Sequence, residues 1–193
     1  MGEEERRFTR EVKLNQLYLA IITRYRDYIE EHEHLSVAEL PSLVTPKNGA
    51  VEGKAAEIKS SFGTYSYKSS FKEASLKAFE FVKSEIEDAI LPLQFWLTPE
   101  ETLTFLTGDM IDKNVLLCSL LISLGNPSAK VLVCMKDGSR QVYTYYELDG
   151  RISLMELKDG ITEFGSKADM LRTVGAGEDS ISYEFNDKMY VDL

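Results

Sequence analysis

The residues best suited to chemistry lie where an apolar helix is predicted to begin. Gly108 and Asp109 precede an almost entirely apolar run, residues 115–124, that Gly125 ends. This pattern predicts a buried helix with Asp109 as its N-cap and glycine at its C-terminus. Free N–H groups and the helix dipole at such a start stabilise a thiolate, so a cysteine there would be a suitable nucleophile. The chain has Met110 instead, and a thioether has no proton to lose and cannot form an acyl-enzyme.

Two carboxylates share this helix start. Asp109 and Asp112 are three residues apart, so their side chains project near one another, and an acid–base or metal site stays open. The structural interpretation is stronger, because an N-cap aspartate and an acidic residue in the first turn both stabilise a helix start. We therefore expect no metal and no other cofactor.

Neither the histidines nor the cysteines suggest a replacement nucleophile or base. His32 and His34 are the only histidines and follow the first predicted helix in an acidic segment. At i and i+2 they do not share a helix face, so we expect a solvated helix end rather than a metal site. Cys118 and Cys134 lie in apolar runs, where a buried thiol is the usual interpretation. Cys134 is the better candidate of the two for a reactive thiol.

Helical patterns dominate the first two thirds of the chain. The first thirty or so residues have apolar side chains at three- and four-residue steps, which predicts a long amphipathic helix. Cap and proline signals predict four more helices: a short one begun by Ser36 and Glu39 and stopped by Pro41, then residues 47–60, 70–91 and 99–106. The helical spacing of the apolar residues breaks after residue 62. We therefore divide the chain into a helical extension, 1–62, and a domain, 63–193.

After Gly125 the apolar period changes from that of a helix to that of a strand. Asp-Gly pairs at 137–138, 149–150 and 159–160 are typical hairpin turns. We predict an antiparallel meander of 129–135, 140–148 and 151–157, a short helix to Val174, and a final hairpin of 181–185 and 189–192. The predicted fold class is α+β, with a buried helix packed on an antiparallel sheet.

The region from Trp96 to Gly125 resembles the transglutaminase-like superfamily, which has a papain-like fold. The similarity rests on Trp-Leu-Thr-Pro-Glu-Glu-Thr-Leu, on Gly-Asp-Met-Ile-Asp-Lys at 108–113, and on the apolar run that follows. In that family the second motif commonly reads Gly-Asp-Cys-x-Asp-Lys. The resemblance covers roughly residues 70–193 and implies that Met110 occupies the position of the catalytic cysteine.

The resemblance also implies two further catalytic positions. The family's histidine lies in a His-x-Trp-x-Glu-like strand motif, and anchoring that motif on Glu147 places Tyr143 at the histidine and Tyr145 at the tryptophan. The third position, usually aspartate, falls on Glu156. All three positions differ from the family pattern, which is typical of a catalytically degenerate archaeal or bacterial member. A tyrosine, with a pKa near ~10, would need a shift of about three units to act as a base at neutral pH.

Composition excludes several classes of partner. The net charge of −10 repels phosphates, and the basic residues are scattered, so we expect no nucleic-acid partner. No apolar run approaches the ~18 residues of a membrane span, and no secretion signal is present, so we expect a cytoplasmic protein.

Three functional hypotheses follow. The leading one is a catalytically inactive transglutaminase-like protein that binds a protein or peptide. Its cleft would be lined by the residues that flank the degenerate positions, namely Trp96, Asp109, Asp112, Tyr145 and Cys134. The second is a hydrolase or peptidase-like enzyme of altered mechanism. The third is a structural protein that uses its N-terminal helices for oligomerisation. The sequence leaves the oligomeric state open.

Overall fold

The computed structural model describes residues 3–32, 39–89, 95–136, 139–177 and 181–193. The chain divides into two compact units: residues 1–34 with 90–95, and residues 35–89 with 96–193. The first unit contains α1 (Glu3–Arg24) and α2 (Arg26–His32), which confirms the predicted N-terminal helix apart from an interruption at Tyr25. Helical hydrogen bonds continue through this residue, because the Tyr25 N–H donates to the Ile21 carbonyl and the Ile29 N–H to the Tyr25 carbonyl.

The second unit has six helices in its described part. They are α3 (Leu40–Leu43), α4 (Gly49–Ser60), α5 (Tyr67–Glu85), α6 (Pro99–Phe105), α7 (Met110–Ser123) and α8 (Lys167–Val174). The sequence also predicts the start signals of the last three, from Thr98 with Glu101, from Asp109 and from Ser166 with Asp169, and all three are confirmed. Thr98 and Glu101 form a capping box on α6, Asp109 caps α7, and the Ser166 hydroxyl accepts a hydrogen bond from the Asp169 N–H at the start of α8.

The limits of three other predicted helices were wrong. Pro41 lies in the first turn of α3 instead of ending it, which agrees with the tolerance of first turns for proline; the predicted cap Ser36 lies outside the described residues. The N-cap of α4 is Asn48, whose side chain accepts from the Ala50 N–H. Helix α5 begins three residues before Ser70 and ends at Glu85, because a short strand follows it.

Helices α3 and α4 precede the predicted boundary at residue 62, yet they lie in the second unit. Val51, Ala55 and Ile58 of α4 are buried in the same core cluster as Leu117 of α7. The compact unit that carries the candidate site therefore begins near Leu35.

The second unit contains two sheets. Strands β1 (Glu87–Asp88) and β2 (Thr107–Gly108) form a short parallel pair. The larger sheet is antiparallel, in the order β6-β5-β4-β3-β7-β8, with the strands β3 (Lys130–Lys136), β4 (Ser139–Leu148), β5 (Arg151–Glu156), β6 (Gly160–Phe164), β7 (Ile181–Phe185) and β8 (Tyr190–Asp192). The α+β class, the meander and the final hairpin are confirmed, whereas β6 was not predicted. Asp149 and Gly150 both have positive φ, as a two-residue hairpin turn requires.

Helix α7 is the centre of the main core. Its residues Leu116, Leu117, Leu120 and Leu121 are fully buried, as the apolar run predicts, and they share one cluster with Val131, Val133, Val142, Tyr146 and Met155 of the sheet. A second cluster on the other face of the sheet joins Leu132, Cys134, Tyr143, Tyr145 and Leu154 to Met170 and Val174 of α8. Both faces of the central strands are therefore buried.

Candidate functional site

The start of α7 is held by two reciprocal carboxylates. The Asp109 carboxylate accepts hydrogen bonds from the N–H groups of Ile111 (2.7 Å) and Asp112 (2.9 Å). Asp112, which is buried, accepts from the Asp109 N–H and from the Leu97 N–H, both at 2.9 Å. Each carboxylate thus satisfies backbone donors that a helix start leaves free, which supports the structural interpretation of both residues.

Other parts of the Gly-Asp-Met-Ile-Asp-Lys motif also position this helix. A Cβ at Gly108 would lie 2.9 Å from the Asp112 Cβ, so only glycine allows this close approach. Lys113 is buried, and its Nζ donates to the Ile86 carbonyl and to the Asp88 carboxylate, both at 2.8 Å. Burial, followed by the nearby Asp109 charge, raises the pKa of Asp112. The conformation of the helix start therefore accounts for all four residues without a reaction.

Met110 lies at the first helical position of α7 and is half-buried. It lines a cavity of about 160 Å³ together with Arg140, Gln141, Val142, Glu156 and Lys158. The Arg140 Nη2 lies 3.6 Å from the Asp109 Oδ2. The cavity lining thus combines two apolar side chains, Met110 and Val142, with two cations, one carboxylate and one amide.

The structure brings Met110 and Glu156 to this cavity but not Tyr143. Successive strand residues face opposite sides of a sheet, and the Thr144 hydroxyl donates to the Asn114 side chain of α7 at 2.9 Å. Tyr143 therefore lies on the face away from α7, in the second core cluster, where its hydroxyl donates to Gln141. Burial, followed by the Glu156 charge, raises the pKa of Tyr143 to about 12, so it is not a base at neutral pH.

The cavity is lined by three residues of β4, Arg140, Gln141 and Val142, and Val142 is one residue before the predicted position. It belongs to the α7-side cluster and is buried. The alternation of polar and apolar residues that normally reveals which way a strand faces is absent here, because β4 is buried on both faces. The sequence therefore did not indicate which residues of β4 face α7.

The other residues predicted to line a cleft are dispersed. Trp96 is half-buried and packs against the main core, whereas Cys134 and Tyr145 are buried in the second cluster. Burial raises the pKa of both Cys118 and Cys134. Buried thiols with a raised pKa are poor nucleophiles, which agrees with the assignment of both cysteines to the core.

A buried ionic cluster in the second unit was missed by sequence reasoning. Glu184 of β7 is 1% exposed and is bound by Lys130 (2.5 Å), Lys167 (2.6 Å) and the Tyr145 hydroxyl (2.6 Å). Burial opposes ionisation of Glu184 and is the largest single influence, but the three hydrogen bonds together outweigh it and lower the pKa of Glu184. These partners come from three separate elements, so no local pattern indicates the cluster.

Within the described ranges, no group of three or more His, Cys, Asp or Glu side chains is arranged to hold a metal ion. The side chain of His32 and the whole of His34 lie outside those ranges. Among the described residues, no helix has both the length and the apolar composition needed to cross a membrane.

Comparison with known proteins gives a relationship at the level of the fold. No family model and no curated protein matches the sequence. Among solved structures, the chain is similar to Legionella pneumophila LapG, with a TM-score of 0.51 and 15% identity over 81% of this chain and 87% of that one. LapG treated with EGTA gives a TM-score of 0.52 and 15% identity, over 82% and 86%.

The chain has a transglutaminase-like fold. The predicted packing of a buried helix on an antiparallel sheet is thereby confirmed, and so is the resemblance at the level of the fold. At this identity the likeness carries the architecture alone, because one fold supports many functions.

Proposed function

We propose that this protein is a catalytically inactive member of the transglutaminase-like fold and that it binds a short peptide segment of a partner protein in the cavity beside Met110. The observation that carries the proposal is the side chain at the start of α7. Met110 occupies the first helical position, where a thiol would be activated, and a thioether cannot take part in acyl transfer.

The rest of the cavity supports the absence of acyl-transfer chemistry. Val142 of β4 adds an apolar side chain to the lining, and Glu156 is the only carboxylate among the described lining residues. A carboxylate without a nucleophile and base to orient has no role in a catalytic triad. The hypothesis of an altered hydrolase has less support, since Asp109 and Asp112 bind backbone N–H groups of the helix start.

The size and charge of the cavity favour one side chain of a peptide as ligand. Small-molecule sites usually have about 300–1,000 Å³, whereas this cavity has about 160 Å³. The described lining has two cations, Arg140 and Lys158, against one carboxylate, Glu156, in an otherwise acidic protein. This excess of positive charge suits an Asp or Glu side chain. The Met110 thioether is flexible and polarisable, and so adapts to the apolar stem of such a residue.

This proposal predicts that charge reversal of Arg140 weakens peptide binding. We expect Arg140→Glu to raise the dissociation constant of a bound acidic peptide by about tenfold or more, because a charge-assisted contact is replaced by repulsion. Binding would be measured by fluorescence anisotropy, with peptides selected on an array of sequences rich in Asp and Glu. Arg172→Glu is the matched control, since Arg172 lies on α8 and is 78% exposed. Equal affinity in both variants, or an array with no bound peptide, would contradict the proposed site.

The cytoplasmic location and the absence of nucleic-acid and membrane partners stay predictions from composition. The division of function at residue 62 also stays a prediction. Since α4 contributes to the main core, a deletion that tests the role of the N-terminal helices should remove α1 and α2 only.

A further inference from the structure

Helix α1 and the start of α2 expose a long apolar stripe. Its residues recur at three- and four-residue steps, so they lie on one face of the helix. Their side chains are 37–61% exposed: Leu14, Leu17, Tyr18, Ile21, Tyr25 and Tyr28. Because large contiguous apolar surfaces on soluble domains mark interaction sites, this stripe requires an occupant.

The charges that flank the stripe indicate which occupant fits. Residues 6–13 contain four basic side chains and one acidic, whereas residues 27–33 contain four acidic side chains and neither Lys nor Arg. The basic segment is preceded by Glu3, Glu4 and Glu5, so it does not form the end of α1. Two copies of the helix in antiparallel orientation, centred near Ile21, place the basic segment of each copy beside the acidic segment of the other. A parallel arrangement places like charges together, which is unfavourable.

Lys13 and Glu31 fix the register of such a pair. They are 31 − 13 = 18 residues apart, which is five helical turns at about 3.6 residues per turn, so both lie on the same flank of the stripe. Helical hydrogen bonding continues through Tyr25, so residues before and after Tyr25 keep the angular positions of one continuous helix. An antiparallel pair centred near Ile21 brings Lys13 of one copy close to Glu31 of the other, and Leu14 close to Tyr28.

We propose that the protein self-associates through this stripe, with α1 and α2 of one chain packed antiparallel on α1 and α2 of a second copy. The apolar stripe supplies the buried surface, and the charge asymmetry selects the orientation. This inference is independent of the proposed peptide site, because it uses only residues of the first unit.

The test is sedimentation velocity on the full chain at about 100 µM. At this concentration a dimer with a dissociation constant of ~1 µM is almost fully assembled. Wild type is expected to sediment as a dimer, and Ile21→Glu as a monomer. Thr23→Glu is the matched control, since Thr23 is exposed on the opposite face of the same helix, and it should remain dimeric. Far-UV circular dichroism establishes that both variants keep their helices.

Charge exchange tests the orientation. Lys13→Glu and Glu31→Lys should each weaken the dimer by about tenfold, and the double variant should recover wild-type association, because the antiparallel pair is re-formed with its charges exchanged. Failure of the double variant to recover, or a monomeric wild-type chain, would overturn the proposal. If the wild-type chain is monomeric both with and without the acidic peptide, the stripe belongs to another partner. That result would leave the proposed peptide site unaffected.

Discussion

Replacing Met110 with cysteine should make the folded chain react with iodoacetamide at neutral pH at one position. The two native thiols are fully buried, so they become accessible only when the structure opens. With an unfolding free energy of about 5 kcal/mol or more, labelling that requires global opening is slowed by a factor of about 5,000 or more. The introduced thiol would instead lie at the cavity and at the N-terminus of a 14-residue helix, where the helix dipole favours the thiolate.

The experiment is intact-mass spectrometry over a labelling time course, with wild type and Met110→Ser as controls. We expect one carbamidomethyl group on Met110→Cys and none on the controls over the same period. Acyl transfer should not appear with the thiol, since Val142 offers no base beside it. Labelling of Met110→Cys at the wild-type rate would show that the side chain at this position is not accessible, and the cavity could then not bind a peptide.

Replacing Glu184 with glutamine should cause a large loss of stability. Its side chain is 1% exposed and binds two lysines, so the substitution leaves their charges near the core without a counter-ion. Removing one partner of a buried ion pair typically costs about 3–5 kcal/mol. We expect about 3 kcal/mol at neutral pH, because Lys130 and Lys167 are 17% and 38% exposed and keep some hydration. Urea unfolding of both proteins measures this difference.

The difference in unfolding free energy between wild type and Glu184→Gln should depend on pH. The folded-state pKa of Glu184 is lowered, so its ionic bonds contribute fully above the unfolded-state pKa of about 4.3 and are lost as the pH falls through the folded-state value. Wild type and Glu184→Gln should therefore converge in stability in acid. Glu163→Gln is the control, since Glu163 also binds two cations, Lys72 and Arg151, but on the surface. If Glu184→Gln lost as little stability as Glu163→Gln, the structural role of the buried ionic cluster would be contradicted.

Features that depend on neighbouring residues could be predicted from the sequence. The capping boxes of Thr98 and Asp109 and the Asp149-Gly150 turn each involve side chains within a few residues of the backbone groups that they bind. The apolar run that becomes α7 is long enough to predict a buried helix. These elements establish the α+β fold, and the motif around Met110 led to the transglutaminase-like architecture.

Features that depend on tertiary contacts could not be predicted. The face to which Tyr143 points is ambiguous in a strand buried on both sides, so Val142 was not recognised at the cavity. Glu184 meets Lys130, Lys167 and Tyr145 only after four elements, β3, β4, β7 and α8, pack together. Helix α4 begins with a glycine, has a second glycine in its interior and shows a weak apolar pattern. Val51 and Ala55 are nevertheless buried in the main core, because packing outweighs propensity.

The residues at the start of α7 differ in what they contact. Gly108, Asp109, Asp112 and Lys113 all support the backbone around α7, so replacing any of them would disturb the core. The side chain of Met110 instead lines the cavity and packs against the edge of the main core. The proposed absence of acyl-transfer chemistry at this position is therefore compatible with an intact fold.

The central claim is that this cavity binds without reacting, and intact-mass analysis with acyl donors tests it most directly. The full chain would be incubated at neutral pH with glutaminyl peptides, peptide esters and an excess of a primary amine. We predict an unchanged protein mass, no released ammonia and no cleaved or crosslinked peptide. A covalent acyl adduct on the chain, or turnover that substitutions of Met110 or Glu156 abolish, would contradict the account.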